Sequence, residues 1–469
     1  MTIIDRRDEL RTLTEVAKRD RGQLVVVYGR RRIGKTALLT EWVTTAPAGP
    51  HLYWTAYRTS SDLLLKSFSE RFRSQLAPDR APFVFASWEA ALQELFDAAA
   101  DRRRLAVIDE FPYLVESVPE ISTLLQRMWD EHAASTRLAL TLCGSHYHMM
   151  HRELLHPRGP LYGRSTAALA VGEIPPDQLE LFLPRYGPAQ VVSTYAVVGG
   201  VPKYLAMWDD RRPVLRNIRE LVLSPSTLFR HEAQFLIQDE IAEPRTYLAI
   251  LEALGAGLKS NSALAEITGV HLNHMGKYLS TLRDLRIVRR VISEDAPDRN
   301  NTRLSRYEIR DPFLRFHFEL IHHRQGWLEQ GRVDKLFARI RDTFDAYVGK
   351  TAYEELARRR ITRLGDAGEL PFSPQHVGRG WTRDVEVDVL AIDEAEGVAL
   401  AGECKWRRTK MHPKAVDDLR RRVSRFKRLA DLHVHLALFS KSGFTKPLHR
   451  LAEREGILLF EGPLLERVG

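Results

Sequence analysis

Residues 23–42 read QLVVVYGRRRIGKTALLTEW, an apolar strand that runs through a glycine-bracketed loop into a helix. Few architectures accept that order, and the one it favours is a parallel sheet flanked by helices. The G-x-x-x-x-G-K-T spacing puts Gly29 and Gly34 where backbone N–H groups close around phosphates at a helix N-terminus. Lys35 is then placed to reach the β and γ oxygens of a nucleotide, and Thr36 to ligate Mg²⁺. Arg30, Arg31, Arg32 and Ile33 fill the variable positions, so the loop from Gly29 to Ala37 is the expected ATP-binding segment.

A phosphate loop needs a second carboxylate to hold its metal. RRRLAVIDEFPYL supplies one at a strand end: Asp109 to hold Mg²⁺, and Glu110 to orient or deprotonate the attacking water. That pairing favours hydrolysis over binding alone. HLYWTAY adds a strand between the two motifs, and RLALTLCGS ends at Ser145, where a polar side chain can sense the γ-phosphate. GPLYGRS offers Arg164 as a cation for transition-state charge, and TAALAV completes a five-stranded parallel sheet. The histidines of HYHMMH, 146–151, lack a neighbouring carboxylate or cysteine cluster, so zinc is not expected there.

A second constellation lies near the C-terminus, where LAGECKWRR places Glu403 and Lys405 two residues apart and hence on one face of a strand. Upstream, RDVEVDVLAI alternates, with Glu386 and Asp388 on one face and Val385, Val387 and Val389 on the other. DEAEG then turns the chain. If Asp393 pairs with Val398 across that turn, antiparallel pairing carries Asp388 opposite Glu403, with Cβ atoms ~5 Å apart. Two carboxylates so placed repel each other, which gives them a reason to share Mg²⁺ or Mn²⁺. A register one residue different would send them to opposite faces.

At 469 residues the chain exceeds one ordinary domain. Its first residues, MTIIDRRDELRTL, carry charge where a signal peptide needs an apolar core, so a soluble cytoplasmic protein without a membrane partner is expected. Cys143 and Cys404 are expected to be buried reduced thiols. The net charge of +9 favours anionic partners, and Lys405–Arg428 concentrates eleven Lys and Arg against two Asp. Within that segment Val416, Leu419, Val423, Phe426 and Ala430 recur at helical spacing, predicting a buried stripe under a basic face that offers Arg420, Arg421, Arg425 and Arg428 to phosphates. In mid-chain, TYLAILEALGAG, SNSALAEITGV and HLNHMGKYLSTLRDLRIVRRV read as three helices and a strand, and SEDAPDRNNTRLSRYEI as a wing. His271, Asn273, His274 and Lys277 would line the exposed face of the third helix, where DNA contact and a protein-contact or spacer role are both open.

IIDRRDEL, the DEFPY strand end, CGS, LYGRS and GGVPKYL, in order across residues 1–240, resemble the archaeal-type ATPases of the STAND class. The resemblance implies that residues 3–10 flank the nucleotide base, that Arg164 sits near the γ-phosphate, and that Gly199–Leu205 belongs to a helical lid. His146 departs from it, standing where a second serine is expected. Residues 305–469, with YEIRDPFLRFHFELI, VEVDVLAI and GECKW, resemble the C-terminal domain of unknown function that follows such ATPases. Asp388, Glu403-x-Lys405, the helix carrying Glu354 and the basic helix also resemble the PD-(D/E)XK nuclease core, with Val387 in place of its usual proline. That resemblance implies metal binding by Glu354, Asp388 and Glu403, with Lys405 positioning or activating water.

The expected fold is α/β and multidomain: a P-loop ATPase core with a parallel five-stranded sheet (1–172), a helical lid (173–240), a winged helix-turn-helix (241–310), and linker helices with a C-terminal α/β restriction-endonuclease-like domain (311–469). The expected function is an ATP-hydrolysing switch that controls a metal-dependent nuclease acting on nucleic acid, with DNA the favoured substrate. The alternative keeps the ATPase and makes the C-terminal fold a nucleic-acid or protein-binding module in a regulatory protein. Monomer and oligomer are both compatible with the sequence.

Overall fold

The computed structural model describes residues 6–46, 49–241, 243–298 and 305–468, so positions 3–5 of the N-terminal motif and 299–304 of the expected wing lie outside the described residues. The chain divides into two compact units, Met1–Ile174 with Val201–Tyr204, and Pro175–Gly200 with Leu205–Gly469.

The first unit is built on β1 (Gln23–Tyr28), β2 (Leu52–Thr55), β3 (Arg104–Asp109), β4 (Leu138–Gly144) and β5 (Ala167–Ala170). They form one parallel sheet in the order β2-β3-β4-β1-β5, so β4 separates the strands that carry the two phosphate-site motifs. Leu24 and Val26 pack into a core with Trp54, Phe68 and Ile108, whereas Val25 and Val27 pack into another with Leu13, Leu38 and Val107. Burial on both faces is the reason β1 reads as a continuous apolar run. Parallel pairing also aligns the C-terminal ends of β1, β3 and β4, which delivers Gly29, Asp109, Glu110 and Ser145 to one edge of the sheet.

In the second unit the helices Arg245–Gly255, Asn261–Thr268 and Leu272–Asp284 precede an antiparallel pair, β6 (Val288–Ile292) and β7 (Ser305–Ile309). Gly269 ends the second helix at φ +69°, a left-handed turn that a side chain would strain. His271, Asn273, His274 and Lys277 are all exposed. After the helices Val333–Val348 and Glu354–Asp366 come β8 (Val377–Trp381), β9 (Glu386–Asp393), β10 (Val398–Lys405), β11 (His433–Ser440), β12 (Leu458–Glu461) and β13 (Glu466–Val468), hydrogen-bonded in the order β13-β12-β11-β10-β9-β8. β10, β11 and β12 run parallel, and the other neighbours are antiparallel.

The segment leaving β6 covers the edge strand β8. Ser293 Oγ donates to Trp381 O at 3.0 Å and accepts from Trp381 N at 2.8 Å, and Glu294 N donates to Arg379 O at 2.9 Å. An exposed edge of unpaired backbone groups is thereby satisfied. These described residues of the expected wing are engaged by the C-terminal sheet.

The basic helix is shorter than its periodicity predicts, running Lys414–Val423 with a separate turn at Lys427–Leu429. The extended backbone at Phe426 ends the helical run, so Leu429 is buried and Ala430 is exposed. Both cysteines are free and buried, and no described helix is long and apolar enough to cross a membrane.

Candidate functional site

β1 opens into the phosphate loop at Gly29, whose φ of +156° and approach to Val171 O, 2.4 Å from where a Cβ would stand, exclude any side chain. Gly34 (φ +93°) caps the helix Lys35–Thr45, and Ile33 anchors the loop in the core. The buried Lys35 folds over the loop, its Nζ donating to Gly29 O at 2.8 Å and Arg30 O at 3.1 Å. Around the loop, Arg6 donates to Ile33 O and Gly172 O, Arg30 reaches Tyr204 OH at 3.3 Å, and Lys203 N donates to Arg32 O at 3.4 Å. The GGVPKYL segment thus touches the loop through Lys203 and Tyr204. Arg31 donates to Tyr113 OH, and Ala37 is exposed on the first turn of the helix.

At the end of β3, Asp109 Oδ2 accepts from Thr36 Oγ1 at 2.8 Å and from Tyr53 OH at 2.7 Å. Burial, and then Asp109, push the Tyr53 phenol far above its ordinary pKa, so it remains a donor. Glu110 has φ +52°, uncommon for a residue with a Cβ, and its carboxylate accepts from Ser145 Oγ at 2.8 and 2.9 Å and from Ser145 N at 3.3 Å. The Arg164 guanidinium makes a two-pronged pair with Asp130, both contacts at 2.7 Å. His146 packs its ring edge-on to Tyr113, 5.4 Å between centroids.

In the second unit β9 and β10 pair from Val398↔Asp393 to Gly402↔Val389, the register predicted from the DEAEG turn. Asp393 Oδ1 accepts from Ala395 N and Glu396 N, both at 3.1 Å, which fixes that turn. One step past the ladder Asp388 Oδ2 accepts from Cys404 N at 2.8 Å. Glu403 is 4% exposed; Lys405 Nζ donates to its Oε1 and Arg422 Nη2 to its Oε2. Glu354, the first residue of its helix, meets Arg379 at 3.3 Å and Arg358 at 3.6 Å, and Arg358 also donates to Asp388 O at 2.9 Å. Burial, with the charges of Glu354 and Glu403, pushes Asp388 up to about 8; burial raises Glu354 as well, against Arg379 and Arg358.

The sequence pattern of an ATPase domain found predominantly in Archaea matches residues 3–208. An uncharacterized protein of Methanocaldococcus jannaschii is 30% identical over 411 residues, which cover 86% of this chain and 87% of the relative. The chain belongs to this archaeal-type ATPase family. Residues 317–416 match the pattern of archaeal and bacterial proteins of unknown function. Among solved structures, a Walker-type ATPase of Pyrococcus abyssi superposes with a TM-score of 0.51 at 19% identity, over 67% of this chain and 96% of that one. At that identity the likeness concerns the fold.

For this ATPase the donor chemistry at both sites suits a hard divalent cation, since Thr36 and Asp109, and Glu354, Asp388 and Glu403, offer oxygen ligands. The arrangements differ. Among the described residues no three His, Cys, Asp or Glu side chains group as a metal-holding cluster, and Glu354 and Glu403 are paired with arginine and lysine. Tyr53, Arg358, Arg379 and Arg422 are the residues that sequence reasoning missed. Arg358 lies one helical turn after Glu354, and Arg422 extends the Val416, Leu419 stripe, so both left a periodic trace; Tyr53 and Arg379 did not.

Proposed function

We propose that the protein is an ATP-hydrolysing switch whose nucleotide unit controls a metal-dependent phosphodiesterase acting on nucleic acid, DNA being the expected class. In the nucleotide unit, Gly29 to Ala37 cradle the phosphates and Lys35 leaves its loop carbonyls for the β and γ oxygens. Thr36 and Asp109 would hold Mg²⁺, Glu110 would orient the attacking water once Ser145 yields its carboxylate, and Ser145 would then face the γ-phosphate. Arg164 acts there only if it exchanges Asp130 for the nucleotide.

For the C-terminal domain the carrying observation is the β9–β10 register, which runs to Gly402↔Val389; continued by one position it would set Glu403 opposite Asp388, and Lys405 is already hydrogen-bonded to Glu403. Glu354, Asp388 and Glu403 would hold Mg²⁺ or Mn²⁺, which would supply Lewis-acid charge to a phosphodiester. Lys405 would hold and orient a water for in-line attack. The basic segment Lys405–Arg428 supports an anionic substrate. A second reading, a nuclease-like fold that binds without cutting, is favoured by the cations already seated on Glu354 and Glu403. Cleavage of labelled single- and double-stranded DNA and RNA, with Mg²⁺ or Mn²⁺ crossed against ATP, separates the two. Metal-dependent cutting that Asp388→Asn abolishes supports the first, and binding without cutting under every condition supports the second.

A further inference from the structure

We propose that Arg422 is an exchangeable counter-ion of Glu403: it holds the carboxylate while no divalent cation is bound, and turns to a substrate phosphate when a metal takes its place. This rests on the nuclease reading and names the residue that sets the resting state of that site. The helix Lys414–Val423 buries Val416 and Leu419 completely, and the same three-residue step carries Arg422 onto the face that meets the sheet. Its place in the last helical turn favours a cation. Arg420, Arg421 and Arg428 go instead to Glu455, Asp418 and Glu394.

Arg422 Nη1 donates to Glu386 O at 3.0 Å, two residues before Asp388, and Nε makes a longer contact of 3.4 Å to Asp418 O. Nη2 takes Oε2 of Glu403 while Lys405 takes Oε1, so a cation stands at each oxygen. Removing either partner of a buried ion pair leaves a costly bare charge, so Arg422 stays until another cation replaces it. The Arg422 side chain is 26% exposed against 6% for Glu403, so the guanidinium sits at the mouth of the site and can swing out while the carboxylate stays. A divalent cation held by Glu403 would repel the guanidinium, and a phosphodiester would offer its planar fork two non-bridging oxygens.

The test is calorimetric titration of the full chain with Mn²⁺, for the parent, Arg422→Gln and Arg422→Lys. With its competitor gone, Arg422→Gln should bind Mn²⁺ about tenfold more tightly, an effect of about 1.4 kcal/mol. Arg422→Lys should fall between it and the parent, and carries the test if the glutamine variant fails to fold. In a Lys405→Ala background, binding of labelled duplex DNA should lose about 0.9 of its log–log salt slope on Arg422→Gln when Mn²⁺ is present, and none when it is absent. A parent that binds Mn²⁺ with variants that bind it equally or more weakly, or an equal slope loss with and without metal, makes Arg422 a fixed structural partner and leaves the nuclease reading standing. If parent, Arg422→Gln and Glu403→Gln all fail to bind Mn²⁺, both readings fall together.

Discussion

Asp109 and Glu403 are both buried carboxylates on strands that run into a sheet edge, and their partners differ in kind. Asp109 is surrounded by neutral donors, the hydroxyls of Thr36 and Tyr53 and the N–H of Glu110. Glu403 is held by Lys405 and Arg422. Neutral donors orient a carboxylate and leave its charge uncompensated, so a cation can enter without expelling another. A carboxylate already paired with cations yields to a metal only by exchange. On the proposed functions, the nucleotide site is ready for its metal and the hairpin site is latent.

The largest effects should come from removing each site's own charge. Lys35→Ala should abolish tight ATP binding, whereas Glu110→Gln should bind ATP and hydrolyse it ~10²–10⁴-fold more slowly; phosphate release and nucleotide titration check both. Equal hydrolysis by Glu110→Gln and the parent removes Glu110 as the catalytic group. Asp388→Asn and Glu403→Gln should lose Mn²⁺ binding while ATP hydrolysis persists, and Lys405→Ala should keep the metal and cut ~10²–10⁴-fold more slowly. Cutting that survives Lys35→Ala unchanged, with and without ATP, breaks the proposed control of one site by the other.

Tyr53→Phe sharpens the contrast more gently. Losing one hydrogen bond to the Asp109 carboxylate should slow ATP hydrolysis by about tenfold, in line with a contribution of about 1.5 kcal/mol for a hydrogen bond to a charged group. Unaltered hydrolysis makes the phenol a bystander.

Acid should separate the two units. Burial, aided by His322 and Arg230, pushes His317 down to about 3, below the ~6.5 of an unfolded histidine. Between those values the unfolded chain binds a proton that the fold refuses, so stability is lost as pH falls through that window. Glu355 acts in the same direction at lower pH. Burial alone would raise it, but Arg289, Arg359, Arg315 and Arg358 outweigh burial and hold it at about 2, so its contribution is present above ~4.3 and fades toward 2. Asp388, pushed up to about 8, has the opposite sign, since between there and ~3.9 the folded chain holds a proton that the unfolded one has lost. The His317 contribution is therefore read as a difference: between pH 6.5 and 4, hydrogen exchange should show the parent's C-terminal unit losing protection relative to His317→Asn, by an amount on the order of a few kcal/mol.

The smallest expected effect concerns the outer arginines. Replacing Arg420, Arg421, Arg425 and Arg428 by serine should flatten the salt dependence of duplex binding by less than the ~0.9 per phosphate that four free cations would give, because three of them already hold carboxylates. A full loss shows that those pairs open on binding.

Sequence alone carried whatever depends on neighbours along the chain. The phosphate loop, the Asp109–Glu110 strand end and the β9–β10 register are set by residues a few positions apart, through glycine conformations, strand periodicity and one short turn. Strand alternation let the register be read from DEAEG to Gly402, and the structure pairs those residues as expected. Which cation sits on which carboxylate was decided only in three dimensions. Tyr53 reaches Asp109 from 56 positions away because β2 lies beside β3, and Arg422 reaches Glu403 from 19 away because its helix packs on the hairpin. The pair of Arg164 with Asp130, 34 positions away, is likewise a contact that only the fold creates. Long charged side chains take the nearest opposite charge that folding brings within reach, and that neighbour is set by the packing of elements rather than by their local sequence.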